Sequence, residues 1–230
     1  MTNVNHASSR VTPLLELRLF YYDFLRRTFL MEPTKDFLVF VKNSMITPDF
    51  PLASESEMIL EGVQQIKNYL SKNDVQSETV YNDLHWEYTR LFIGPYQLPS
   101  PPWESTYLNE ERLLFQKETL AVRKAYLKYS FLPVEFGHEA DDHLGLELDF
   151  MFRLSELGLE DIDQNSANLK QLLMDQKSFL EEHLLQWVPK FSKDMIQHAE
   201  TDFYRGMGKI LQGFLTLDLE ALLELLKINS

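Results

Sequence analysis

The chain contains no cysteine, which removes disulfide frameworks, zinc ribbons, thiol nucleophiles and iron–sulfur ligation together. Glycine is also scarce, at 8 of 230 residues, and its spacing matches no Gly-x-Ser-x-Gly elbow, phosphate loop or dinucleotide-binding turn. Alternating strings of Val, Ile and Thr that would mark strands are missing. Uninterrupted apolar runs are missing too. The first twelve residues are polar, and the apolar stretch behind them is broken by Glu16, Arg18 and Asp23, so neither an export signal nor a membrane span is expected and the cytoplasm is the predicted location. Positive charge is in short supply. Twenty-two basic residues against 35 acidic ones leave a formal charge of −13, which argues against binding nucleic acid or anionic lipid and favours a basic partner.

What is present is helix-forming. Apolar residues make up 44% of the chain and aromatics 13%, ample for a continuous core, and Leu, Glu, Gln and Lys are plentiful. Thr12-Pro13 reads as a helix start, followed by Leu14, Leu17, Tyr21 and Phe24 at helical spacing to about Met31, with residues 1–12 a flexible lead-in. Arg26-Arg27 superficially resembles the twin-arginine export motif, but Glu32, Pro33, Lys35 and Asp36 stand where an apolar segment would be needed, so the pair belongs to this amphipathic helix. A second helix runs from Thr34. Ser54 and Glu57 form a capping-box pattern for a third, with Ile59, Val63, Ile66 and Leu70 as one stripe. A fourth spans roughly 78–93 and stops at Gly94-Pro95.

Residues 94–107 carry four prolines and three aromatics, too broken for a helix and too apolar for an idle linker, which predicts an ordered loop lying on the protein. Helix is expected again over 109–129, over 142–157 with Gly158 closing it, over 169–184, from Pro189 to Ala199, over 201–215, and in an apolar tail from Leu217. The fold class is therefore all-α: a single helical domain over 13–230, built of eight to ten helices around one core.

The strongest local charge feature lies between Tyr129 and Leu169, where ten acidic residues accompany one basic one, Arg153, and the centre reads His138-Glu139-Ala140-Asp141-Asp142-His143. Asp141 or Asp142 capping the following helix accounts for one or two of these acids. A metal site is the sharper reading, yet His138 and His143 are five apart and would point to different helix faces, and the one Glu-x-x-His spacing, Glu135-Phe136-Gly137-His138, falls at the Pro133–Gly137 break and has no second copy to complete a di-iron helix-bundle site. His85, His183 and His198 each stand alone on helices, where a surface or core-edge role is usual. No catalytic constellation, metal or cofactor follows. What remains is a set of acids and aromatics: Tyr88, Tyr96, Trp103 and Tyr107 on one side of a helix, Asp142 and His143 on the other. Carboxylates take arginine forks, ring faces stack on guanidinium, and apolar rings hold a leucine-rich stretch, so the set suits a peptide basic at one end and apolar at the other. Tyrosines at helical spacing can equally fill a core, Tyr88 above all.

The run Thr89-Arg90-Leu91-Phe92-Ile93-Gly94-Pro95-Tyr96-Gln97-Leu98-Pro99-Ser100-Pro101-Pro102-Trp103-Glu104-Ser105 resembles the signature loop of the TorD/DmsD redox-enzyme maturation chaperones. Glu139-Ala140-Asp141-Asp142-His143-Leu144-Gly145 is similar to that family's Glu-Pro-x-Asp-His segment, and His183-Leu184-x-x-Trp187-x-Pro189-x-Phe191 and Phe203-Tyr204 also fit. The resemblance implies an all-helical, non-enzymatic cytoplasmic chaperone. It would bind the twin-arginine signal peptide and apo catalytic subunit of a molybdopterin-dependent, dimethyl-sulfoxide-reductase-type enzyme, delaying export until the cofactor is inserted.

It further implies that Asp142, His143 and Trp103 belong to the peptide site, that Tyr88, Tyr96 and Tyr107 stand where DmsD-like members carry tryptophan, and that Gly94, Pro95, Glu139 and Asp141 support the loop. The chain departs from the pattern at Ala140, where the family has proline, which would free the backbone before the next helix. Monomers and helix-exchanged dimers are both in keeping with the family. The competing expectation is a metal- or nucleotide-dependent enzyme using His138, Asp141, Asp142 and His143, and a third is a purely structural partner protein.

Overall fold

The computed structural model describes residues 4–46, 49–95, 97–109, 111, 113–132, 139–162 and 166–228. Among them are ten α-helices and no strand: α1 (Val4–Phe29), α2 (Lys35–Ile46), α3 (Glu57–Lys72), α4 (Glu78–Tyr88), α5 (Glu104–Leu108), α6 (Lys117–Lys128), α7 (Leu144–Asp161), α8 (Ser166–Phe179), α9 (Leu185–His198) and α10 (Asp202–Ile228). Two π-helical turns, Thr89–Ile93 and Leu180–Leu184, extend α4 and join α8 to α9. The all-α expectation holds, and the number of helices falls within the expected range.

Local signals explain most boundaries. Thr34 Oγ1 accepts the Phe37 N–H at 3.1 Å ahead of α2. Before α3 the cap is Ser56, accepting from Ile59 N–H, not Ser54, whose hydroxyl turns to the Glu55 carboxylate. The expected stripe of α3 is buried as read: Ile59, Val63, Ile66 and Leu70 all face inward. Gly94 ends the first π turn by donating its N–H to Thr89 O at 2.8 Å.

Several boundaries differ from expectation. Pro13 lies inside α1, which begins at Val4. The predicted helix over 109–129 starts only at Lys117. Ahead of it the Asn109 side chain bonds both the N–H and the C=O of Leu113, and Phe115 takes the left-handed region at φ 59°, so the side chain offers the backbone an alternative to helix. Gly158 does not close α7. It lies buried within the helix, where an added Cβ would meet Leu15 and Leu172 at an ordinary contact distance of 3.7 Å. Pro189 falls at the fifth residue of α9 rather than at its start, because α9 continues directly from the second π turn, where the Leu185 N–H donates to Leu180 O. The last two expected helices are one, since nothing between Leu215 and Leu217 breaks α10.

Packing is organised by the two longest helices. α10 packs most extensively on α3 and also meets α1, α8 and α9, while α1 lies along α7. Residues from all these helices join one apolar cluster, with Trp187, Tyr22, Phe24, Phe150, Phe191, Phe203 and Phe214 among its large members. Between α1 and α10 sits a buried ion pair. Arg18 Nε donates to Asp218 Oδ1 at 2.6 Å, and the Tyr22 hydroxyl donates to Asp218 Oδ2 at 2.6 Å.

Candidate functional site

The proline-rich loop and the acidic segment meet. Trp103 and His143 form an isolated antiparallel bridge, flanked by Glu104 N–H donating to Asp142 O at 3.0 Å and Leu144 N–H donating to Pro102 O at 2.8 Å. The stretch expected to be loop throughout gives way to α5 at Glu104, past the last of its prolines; ahead of it four prolines keep the loop out of a helix and give it few donors of its own, so its register is set by these cross-segment bonds. The Trp103 ring lies edge-on to the His143 imidazole with centroids 5.8 Å apart. Its indole N–H donates to Glu139 Oε1 at 2.8 Å. Glu139 is held in turn by the Ala140 N–H at 2.9 Å. A proline at 140 would have no such donor, so the departure from the family pattern here supplies a bond that orients the carboxylate under Trp103.

Asp142 is fully buried, and its carboxylate is committed inward: Oδ2 accepts the Ser105 N–H at 2.9 Å and Oδ1 the Thr119 hydroxyl at 2.8 Å. It therefore caps a helix, but α5 instead of the following α7. The cap of α7 is His143, whose Nδ1 accepts the Gly145 N–H at 3.1 Å, so a neutral ring carries its proton on Nε2. Burial lowers the His143 pKa, opposed by the Glu139 and Asp142 carboxylates. Asp141 is also buried. It pairs with Arg123 at 2.5 Å, and its carbonyl accepts the Tyr126 hydroxyl at 2.9 Å.

The remaining expected residues separate into surface and core. Tyr107 is half-buried and packs on Trp187 and Phe191, with centroids 5.6 and 6.4 Å away. Tyr88 is a core residue. Its hydroxyl donates to Phe29 O at 3.0 Å and its ring packs edge-on to Phe92 at 4.9 Å. Phe92 stacks on Phe191 at 5.9 Å, so a file of rings links Tyr88 to Tyr107 without bringing Tyr88 to the loop junction. Gly94 and exposed Pro95 lie at the exit of the first π turn. Tyr96 and His138 lie outside the described residues.

Sequence reasoning missed the buried carboxylates beneath the loop. Glu104 and Glu147 are both inaccessible. His183 Nδ1 stands 2.9 Å from Glu104 Oε2, and Trp187 donates its indole N–H to Glu147 Oε2 at 3.3 Å. Burial first, then the Glu104 and Asp142 carboxylates, push Glu147 well above the ordinary range, against the pull of the Trp187 N–H. Its carboxyl therefore holds a proton where a surface glutamate would be ionised. The signal available in advance was Glu147 within an otherwise apolar helix run, Leu144-Gly-Leu-Glu-Leu. His183, expected at the surface or core edge, is buried against Glu104. Among the described residues no three His, Asp or Glu side chains converge as a metal site, and no helix is long and apolar enough to cross a membrane.

A family model described as nitrate reductase delta subunit matches residues 54–193, more than half of the chain and the whole of the loop junction. The chain belongs to this family. Its relatives include TorD and DmsD proteins, as the loop resemblance implied. The Tat proofreading chaperone DmsD of Salmonella typhi is 37% identical over 122 residues, 53% of each chain. The chaperone protein TorD of Aliivibrio salmonicida is 27% identical over 208 residues, 90% of this chain and 95% of that one. The matches to DmsD relatives thus span about half of their length. A crystal structure described as that of a candidate redox enzyme maturation protein from Archaeoglobus fulgidus aligns over 86% of this chain and 93% of its own, at 24% identity and a TM-score of 0.44. The curated relatives carry the names of chaperones rather than of enzymes.

Proposed function

We propose that the chain is a cytoplasmic, non-enzymatic chaperone acting through one domain over 13–230. It binds the twin-arginine signal peptide and apo catalytic subunit of a molybdopterin-dependent oxidoreductase, delaying export until the cofactor is in place. Family membership and the relatives' names support the class. The observation that carries the reading is the half-exposed Trp103 whose indole is aimed by the Glu139 carboxylate. An aromatic face and a carboxylate, side by side on a loop pinned to the core, can stack on a guanidinium and pair with it. Tyr107 adds an apolar surface four residues along. Asp142 and His143 serve this reading as the rigid floor beneath the loop. The enzyme alternative loses its two aspartates to internal partners, Asp141 to Arg123 and Asp142 to Ser105 and Thr119.

The test is fluorescence anisotropy with a labelled twin-arginine signal peptide. Binding should be saturable, weaker for a twin-lysine peptide, which lacks the planar fork, and weaker in added salt. Trp103→Ala and Glu139→Gln should each lower affinity by about tenfold while leaving the thermal midpoint nearly unchanged. Absence of binding at high protein concentration, or affinity undiminished from the unsubstituted chain in both variants, overturns the reading. A monomer and a helix-exchanged dimer serve it equally, and light scattering distinguishes them.

A further inference from the structure

A second cleft, of about 440 Å³, shares no residue with the loop junction. Asp83, Trp86, Glu87 and Arg90 recur at i, i+3, i+4 and i+7 on α4 and its π extension, so they form one stripe. That stripe is one wall, Tyr69 of α3 is another, and Glu200 in the link from α9 to α10 closes the third side. Three carboxylates face one guanidinium.

The guanidinium is already engaged. Arg90 Nη2 donates to His198 O at 2.9 Å, and Nε lies 3.2 Å from Glu200 Oε1. Glu87 is the informative member. Its side chain is only 2% exposed. Oε1 accepts the N–H groups of Glu200 and Thr201, at 2.5 and 3.0 Å, ahead of α10, but Oε2 is buried with no donor among the described residues. Capping α10 explains the first oxygen and not the second, and a buried carboxylate oxygen without a donor is costly. Trp86, beside it, is 65% exposed, an unusual place for an indole. The field of the cleft is negative: burial, then Asp83 and Glu87, push the Tyr69 hydroxyl up to about 12.

We propose that this cleft binds the guanidinium of an arginine side chain presented by a polypeptide partner, stacked on Trp86 and hydrogen-bonded to Glu87 Oε2 and Asp83. A planar cation with several N–H donors satisfies the orphan oxygen, neutralises the acid excess and uses the exposed indole face, all from one group. An ammonium is a compact, strongly hydrated charge that stacks less well. A free amino acid would bring its own carboxylate into an acidic cleft, whereas a residue within a chain brings none. The inference does not rest on the signal-peptide reading, since a protein that fails to bind that peptide at Trp103 still carries this cleft.

The chain has three tryptophans, Trp86, Trp103 and Trp187, so the ¹⁵N-labelled full chain reports the site through its indole N–H signals. N-acetyl-L-argininamide should move the Trp86 signal saturably and leave Trp103 and Trp187 in place. N-acetyl-L-lysinamide and free L-arginine should each bind at least about fivefold more weakly. Asp83→Asn, at an exposed position, should weaken the response by a similar factor, and Trp86→Ala should abolish binding of the capped arginine measured by calorimetry, with the far-UV spectrum of each variant unchanged. No saturable shift at Trp86, or an undiminished response in Asp83→Asn, overturns the site. Equal binding of the lysine probe overturns the assignment to arginine, and equal binding of free arginine overturns the polypeptide source.

Discussion

At the scale of single residues, the floor of the loop junction is made of groups whose protonation is set by burial. Glu147 has its pKa raised in the fold. Its stabilising contribution is therefore complete below the ordinary glutamate value and is lost as pH rises toward the shifted one, at about 1.4 kcal/mol per pH unit in that window. Glu147→Gln keeps the shape and the acceptor for Trp187 without the ionisation. It should raise stability at pH 7 to 8, by chemical denaturation, and flatten the decline on the alkaline side. His143 has its pKa lowered, so the unfolded chain takes the proton first. Stability should fall as pH drops below about 6.5, and His143→Asn, which retains a cap acceptor, should remove that limb from the pH profile. Asp142→Ala strands the buried Ser105 N–H and Thr119 hydroxyl and should cost about 3 kcal/mol. A lowered melting temperature is its expected signature, in contrast to Trp103→Ala, whose effect should be on peptide affinity.

At the scale of elements, close approach between helices decides what the sequence may contain. α3 and α10 cross with Gly62 and Gly206 face to face: a Cβ on Gly206 would stand 2.5 Å from Gly62 O and 2.6 Å from an Ile66 side-chain carbon. Backbone cannot yield as a flexible side chain would, so Gly206→Ala should destabilise by about 1 to 3 kcal/mol, read as a shift in denaturation midpoint. The reciprocal Gly62→Ala should do the same, and the two should be strongly non-additive because they relieve or impose one contact. At the start of α7, Gly145 meets the backbone of Leu30 in the same way, which seats the capped end of α7 against α1 immediately after the loop junction. The two π turns have a comparable effect, since each adds a residue to a turn and re-aims the segment that follows: the proline-rich loop after Ile93 and the Trp187-bearing helix after Leu184.

At the scale of the whole molecule, the chain closes through its ends. Arg18 on α1 and Asp218 on α10 are both buried and joined by two hydrogen bonds, with Tyr22 on the same carboxylate. Asp218→Ala leaves a buried guanidinium unpaired and should cost about 3 to 5 kcal/mol, whereas replacing the pair together by apolar residues of similar volume should cost much less. Equilibrium denaturation of the single and double variants measures the difference. The two proposed sites rest on different parts of this frame: the Trp103 junction on α5 and α7, and the acidic cleft on α3, α4 and the link into α10.

Fold class was legible in the sequence because helical periodicity, scarce glycine and caps such as Thr34 act over a few residues. The stripe of α3 and the stop at Gly94 are of that kind, whereas the grouping of Trp103 with Asp142 and His143 came from the family pattern and not from local signals. Boundaries set by distant partners were not legible. Asn109 delays α6, α7 runs on through Gly158 to Asp161 packed against α1 and α8, and Asp142 caps α5 from 37 residues away. The functions of individual acids were the least legible. A carboxylate's role depends on whether the fold gives it donors, neighbours or neither. Only the tertiary structure turned Asp142 and Asp141 inward, paired Glu104 with His183, held a proton on Glu147 and left Glu87 with one oxygen unsatisfied beside an exposed tryptophan. Burial and charge at that level are sums over contacts far apart in the chain, and local sequence does not contain them.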